Sequence, residues 1–126
     1  MARILVIDDS PTVVLSMSRL LMDDGHVVET VDSVSELSGY LSSMRPDLIL
    51  LDLQMPSLPG VEWAAFMRRV QQRRLSLIIH SCLPWQAMEA AAQQVGAVGI
   101  IPKGAAPDAA RCIINSALRR TARALG

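Results

Sequence analysis

Asp8, Asp9, Asp52, Ser81 and Lys103 are scattered over ninety-five positions, yet all of them stand where a short apolar run ends. Ile4-Leu5-Val6-Ile7 runs into Asp8-Asp9, Leu48 to Leu51 into Asp52, Leu77 to His80 into Ser81, and Val98 to Ile101 into Pro102-Lys103. If these runs are parallel strands, their ends share one rim of a sheet, where open α/β sheets bind ligands. Three carboxylates gathered there repel one another. Lys103 offsets one charge, and a divalent cation would offset two. Magnesium suits such a place: it takes hard oxygen ligands, keeps waters, and is held by one or two carboxylates plus phosphate oxygens. A carboxylate can act as a nucleophile and form an acyl phosphate. The metal and Lys103 would then stabilise the equatorial oxygens of a transferring phosphoryl group. The Ser81 hydroxyl could hydrogen-bond one of those oxygens. Lys103 is also the one lysine among twelve basic residues, the other eleven being arginine.

The elements that must position these residues are legible in the pattern. Ser10 is a helix cap and Pro11 a first helical residue. Val13, Val14, Met17, Leu20 and Leu21 then repeat at three and four, and Gly25 ends the helix. His26 to Val31 reads as a more polar strand. Ser33-Val34-Ser35-Glu36 is a capping box that opens a helix carrying Val34, Leu37, Leu41 and Met44, which Pro46 stops. After Asp52 a turn over Met55-Pro56-Ser57-Leu58-Pro59-Gly60 leads into a helix carrying Trp63, Phe66, Met67 and Val70. Pro84 opens a helix with Trp85, Met88, Ala92 and Val95 inward or half-inward, closed by Gly96. The last helix runs from about Pro107 to Leu125, with Ala110, Ile113, Ile114, Ala117 and Leu118 on its apolar face. Strands joined by helical crossovers are parallel, with helices on both faces. The second run, with Glu29 and Thr30, suits one edge. The fifth, with Pro102, suits the other, because proline cannot donate to a ladder. The expected architecture is a doubly wound α/β sheet of five parallel strands in the order 2-1-3-4-5, flavodoxin-like, with a topological switch between strands one and three.

Composition narrows the function classes. A chain of 126 residues with 51% apolar content is one domain's worth and folds without a staple, so residues 1–126 are expected to form a single domain. No apolar run approaches the length of a membrane span, and the start is too short for a secretory signal, which places the protein in the cytoplasm. Twelve acidic residues balance twelve basic ones, and aromatics make up 3%, which argues against direct nucleic-acid binding. Cys82 and Cys112 have no metal-ligand spacing and read as cytosolic thiols.

The pieces Val6-Ile7-Asp8-Asp9-Ser10, Leu50-Leu51-Asp52-Leu53-Gln54-Met55-Pro56, Ser81 and Lys103 stand in order and at matching separations. With them the chain resembles a response-regulator receiver domain of two-component signalling, similar to the chemotaxis regulators, over nearly its whole length. The resemblance implies that Asp52 is the phosphoacceptor, that Asp9 is the direct magnesium ligand and Asp8 one acting largely through water, and that the Gln54 backbone carbonyl is a further ligand. Lys103 resembles the lysine that pairs with the phosphoryl group, and Ser81 the switch hydroxyl. The implied donor is a phosphohistidine on a sensor histidine kinase or phosphotransfer protein, or a small acyl phosphate. The implied output is altered binding of a downstream protein on the face made by the fourth helix, fifth strand and fifth helix of the full pattern. Such a domain is not an enzyme in the usual sense; it promotes only its own phosphorylation and dephosphorylation. Three positions depart from the family. Leu83, two residues past Ser81, stands where a polar residue is often found. Ile100 stands where an aromatic usually reports the switch. Gly104 follows Lys103 where a cis proline is usual, so a trans bond and a rearranged loop are expected.

Other readings compete residue by residue. Asp8-Asp9 is also a helix-capping pair, Lys103 a surface lysine, and Ser81 a helix cap. His80 should face away from Ser81 and be structural. Trp85 is either core or, if exposed, an anchor for a partner, with Met88 beside it. Arg111, Asn115, Arg119 and Arg123 recur every four residues as a solvated stripe or a partner surface. Whole-chain alternatives are a degenerate receiver that binds proteins without phosphate, the excised half of a DNA-binding regulator, and an aspartyl-phosphate hydrolase. The hydrolase is opposed by the adjacency of Asp8 and Asp9 and by the lack of chain for a substrate cap.

Overall fold

The computed structural model describes the backbone of residues 1–32, 43, 45–54 and 60–125, and side chains outside 60–65 and 122–125. The capping box at 33–36, the helix expected after it and the turn at 55–59 lie outside the described residues, as do the side chains of Trp63 and Arg123. The described elements are β1 (Arg3–Ile7), α1 (Pro11–Asp23), β2 (Val27–Val31), β3 (Leu48–Leu51), α2 (Gly60–Gln72), β4 (Ser76–Ser81), α3 (Trp85–Val95), β5 (Gly99–Pro102) and α4 (Pro107–Leu125).

All five strands are parallel, in the order β2-β1-β3-β4-β5. This is the flavodoxin-like arrangement expected from the sequence. Its cause is visible in side-chain alternation along the central strands. Ile4, Val6, Leu48, Leu50 and Ile78 point to one face and pack with Met17 and Leu21 of α1 and Ala110, Ile114 and Ala117 of α4. Leu5, Ile7, Ile49, Leu51 and Leu77 point to the other and pack with Phe66 and Val70 of α2. Strands buried on both faces read as unbroken apolar runs rather than as alternating ones, which is why β1, β3 and β4 stood out. β2, whose residues 27, 29 and 30 are exposed, takes one edge and β5 the other.

Boundaries differ from the sequence reading by about one residue. β2 starts at Val27, since the His26 N–H is donated to the Leu21 carbonyl at the end of α1 at 3.1 Å; the His26 ring Nδ1 accepts the Ala2 N–H at 3.1 Å. β5 takes in Pro102 and begins at Gly99. A side chain at 99 would crowd Ile113, since an added Cβ would lie 3.0 Å from the Ile113 Cγ2. Gly96 closes α3 in the left-handed conformation (φ 70°), where its N–H is donated to the Ala92 carbonyl. None of the described helices is long and apolar enough to cross a membrane.

Candidate functional site

Side-chain alternation decides which rim residues can meet. Asp8 continues the face of Ile4 and Val6, and Asp52 that of Leu48 and Leu50. The β1–β3 register pairs Ile7 with Leu51, and the ladder runs on as the Asp52 N–H donates to the Ile7 carbonyl at 2.9 Å. Asp8 and Asp52 therefore lie side by side. Both are buried, at 1% and 2% exposure. Asp9 points outward and is exposed. A carboxylate oxygen from each of the three lies within 4.8 Å of the others.

Lys103 reaches this cluster from the end of β5. Its backbone N–H donates to the Ser81 carbonyl at 2.9 Å, which fixes the strand end. Its Nζ donates to Asp52 Oδ2 at 3.0 Å and lies 3.0 Å from Asp8 Oδ2. Burial alone would lower the pKa of this amine. The hydrogen bond to Asp52 and the closeness of both carboxylates outweigh burial and hold it above the ordinary lysine value.

Each buried acid is also tied to the loop after it. Asp8 Oδ1 accepts the Ser10 N–H at 2.9 Å, and Asp52 Oδ1 accepts the Gln54 N–H at 3.0 Å. The Asp8 bond makes an Asx turn ahead of α1 and does not cap the helix. Ser10 occupies the N-cap position of α1, but its hydroxyl makes no capping bond. Asp8 Oδ2 differs from the other buried carboxylate oxygens. It touches the Lys103 amine yet makes no hydrogen bond among the described residues. A buried anionic oxygen in that condition is under-coordinated, and a hard cation held between it and Asp9 would satisfy it. The three carboxylates are hard oxygen donors and fit magnesium.

Ser81 is fully buried. Its hydroxyl accepts the Leu83 N–H at 3.3 Å and donates to Gln54 Oε1 at 3.4 Å. It does not cap α3, whose N-cap is Pro84. The Gln54 side chain was missed by sequence reasoning, which assigned that residue only a backbone carbonyl. Only the fold brings residues 54 and 81 together. A further acid, Asp32, stands outside the three-carboxylate cluster. It lies at the end of β2 on a cleft of about 430 Å³ shared with Asp8, Asp9, Pro11, Val14 and Thr30. An acid just past a polar edge strand carries no signal of its own.

Ile100 is half-buried and pairs with Ile79 across the sheet edge. Gly104 adopts φ 89°, and no cis peptide bond occurs among the described residues, so the bond after Lys103 is trans as expected. Gly104 suits that left-handed conformation, in which most other residues would be strained.

The residues expected at a partner surface divide between surface and core. Trp85 is 52% exposed, but Met88, one helical turn on, is 2% exposed and belongs to the core. The pattern at three and four turns Met88 inward, while Trp85 at the first turn of α3 stays at the rim. Arg111 is not a free cation: its guanidinium pairs with Asp24 at 3.1 Å, tying α4 to the end of α1, and with Asp108 at 3.3 Å. Arg119 and Asn115 are exposed.

His80 shares the face of Ile78, away from Ser81, and is 6% exposed. Burial, and then the nearby Lys103 charge, lower its pKa; Asp8 and Asp52 act weakly the other way. A base whose folded pKa lies below its unfolded value takes up fewer protons when folded, so stability is lost as pH falls. The loss begins below about pH 6.5, the unfolded value. We expect the denaturation midpoint to drop between pH 7 and pH 5.5, and His80→Leu to flatten that slope. A slope unchanged by the substitution in urea titrations would assign the acid sensitivity elsewhere.

The comparisons with known proteins agree with this geometry. A family model described as the response regulator receiver domain matches residues 4–115. A protein-glutamate methylesterase/protein-glutamine glutaminase of Agrobacterium fabrum is 33% identical over 113 residues, which are 86% of this chain and 32% of that protein. The response regulator MprA of Mycolicibacterium vanbaalenii is 31% identical over 119 residues, 94% of this chain and 51% of that protein. The chain thus spans a third to a half of these curated relatives. Among solved structures, a CheY-like receiver domain protein of Methanospirillum hungatei JF-1 superposes with a TM-score of 0.83 at 21% identity, covering 98% of both chains. A receiver protein of Burkholderia phymatum gives 0.81 at 26% identity, covering 94% and 95%. A rim of acids facing one lysine, on a sheet ordered 2-1-3-4-5 and matched along nearly all its length, leaves one assignment: the chain belongs to the response regulator receiver domain family.

Proposed function

We propose that residues 1–126 act as one magnesium-dependent phosphoacceptor unit that takes a phosphoryl group on Asp52 and changes how a partner protein binds. The observation that carries this reading is the position of Asp52 between a lysine amine at 3.0 Å and two further carboxylates. One Asp52 oxygen attacks phosphorus as the P–N bond of a phosphohistidine, or the P–O bond of a small acyl phosphate, breaks. The product is an acyl phosphate on Asp52, and the leaving group departs with the bonding electrons. Asp8, Asp9, Asp52 and the Gln54 carbonyl would hold the magnesium. When bound, that ion supplies charge neutralisation at the phosphoryl oxygens. Lys103 supplies a second positive charge there. Ser81, released from Gln54, would donate to a phosphoryl oxygen. That rearrangement moves the end of β4 and, through the Lys103 N–H, the end of β5.

The donor would be a sensor histidine kinase or phosphotransfer protein, and the output a protein bound over α3, β5 and α4. With Ile100 in place of a ring, output is carried by the loop movements and by exposed Trp85. The two cysteines are free and exposed, as suits a reducing cytoplasm. The methylesterase activity in one relative's name is not carried over.

Beryllofluoride, a phosphoryl mimic, tests the proposal. With magnesium it should shift the amide resonances of Asp9, Gln54, Ser81, Leu83, Lys103 and Gly104 in wild type and leave Asp52→Asn unchanged. Wild-type spectra without shifts at those residues would overturn the reading.

A further inference from the structure

His80 is a buried polar side chain that the proposed phosphoryl chemistry does not use. It makes no side-chain hydrogen bond among the described residues. It lines a pocket of about 270 Å³ between α1 and α4, on the face of the sheet opposite Ser81. The walls are Val13, Met17 and Leu20 from α1 and Ala105 and Ala110 from the α4 side, with Thr12 and Ser16 at one margin. The space exists because residues 105 and 110 are alanines where α4 approaches α1. The elements around it are held by two fixed features. The Arg111–Asp24 ion pair ties α4 to the end of α1, and the Lys103–Gly104 segment is anchored to β4.

The shape and chemistry select a ligand class. Binding pockets for drug-sized ligands hold roughly 300–1,000 Å³ and are mostly apolar with a few placed polar groups. This one is just below that range and therefore fits a single-ring molecule. Lys103 in its wall repels a cation at close range. Asp8 and Asp52 behind Lys103 repel an anion. An uncharged ligand remains. A neutral imidazole offers one donor and one acceptor, and no described residue uses either. The ring nitrogens are not among the fully buried unpaired atoms; they can be reached from the pocket, where a ligand's hydrogen-bonding group can pair with one of them.

We infer that the pocket between α1 and α4 is a binding site for an uncharged single-ring molecule carrying one hydrogen-bonding group, which pairs with His80. The site is distinct from the acid cluster, although Lys103 borders both.

Phenol and toluene distinguish this from nonspecific apolar adsorption, since they are nearly isosteric and only phenol has a hydroxyl. Titrated into the full chain and followed by NMR, both should give saturable shifts at the Met17 methyl and at His80. Phenol should saturate at about fivefold lower concentration, the scale of one neutral hydrogen bond. His80→Leu should remove the difference, and Ala110→Leu, which fills the pocket from α4, should abolish both responses. Shifts that do not saturate, or equal midpoints for phenol and toluene on wild type, would overturn the proposal. That wild-type pair decides the matter even if either variant fails to fold. The readout does not depend on phosphorylation, so it stands or falls apart from the reading of Asp52.

Discussion

Replacing Lys103 with alanine is expected to lower stability by about 3–5 kcal/mol in chelator and to slow phosphorylation of Asp52 by about 10²–10³-fold. The two effects share one cause. Asp8 and Asp52 are 1% and 2% exposed, and Lys103 is the cation that contacts both. Removing the amine leaves two carboxylates buried side by side without their counter-charge. Like charges so placed are costly, and each has only its loop N–H left as a hydrogen-bond donor. The rate falls for a separate reason, since the amine is also the fixed positive charge that would face the transferring group. Urea unfolding with EDTA and acetyl phosphate kinetics with magnesium read the two terms independently. Stability within 1 kcal/mol of wild type, on the order of an ordinary surface substitution, would show that the contact is not the main compensation. Arginine at this position should not rescue the rate, because its planar fork is longer and cannot place one compact charge between two carboxylates.

Magnesium removal is expected to slow the chemistry comparably and, like the loss of Lys103, to lower stability. In wild type, saturating magnesium should raise the unfolding free energy, by about 2.7 kcal/mol at a hundredfold excess over its dissociation constant. EDTA should reduce phosphorylation by at least about 10²-fold, the scale of losing one fixed charge in a transition state. Asp9→Asn separates the metal from the amine. Asp9 is exposed and makes no ion pair with Lys103 among the described residues, so its loss should cost little stability in EDTA. It should, however, abolish most of the magnesium-induced stabilisation. Titration calorimetry on wild type and Asp9→Asn checks this directly. Equal magnesium affinity in both would remove Asp9 from the ligand set.

The sheet and the gathering of its rim residues were legible because they rest on period and topology. Runs such as Ile4–Ile7 and Leu48–Leu51 admit few arrangements when separated by helical segments, and parallel strands must end on one rim. Asp8, Asp52 and Lys103 follow from that alone. What escaped were features that depend on packing between distant elements. The exposure of Trp85 depends on how α3 sits against the sheet, whereas the inward turn of Met88 follows from the pattern at three and four. Arg111 reads as part of a solvated stripe until α1 brings Asp24 to it, eighty-seven positions away. The Gln54 side chain meets Ser81 across twenty-seven positions, and side-chain hydrogen bonds of that kind leave no periodic trace. Gly104 shows the intermediate case. A non-proline residue there favours a trans bond on local energetics, but its positive φ depends on the loop it closes.

The most direct test of the central claim is the intact mass of the protein after incubation with magnesium and acetyl phosphate, for wild type and for Asp52→Asn. The account predicts that wild type gains the mass of one phosphoryl group, that the gain disappears with EDTA, and that Asp52→Asn gains nothing. A wild type that stays unmodified, or an Asp52→Asn protein that gains the same mass, would contradict it.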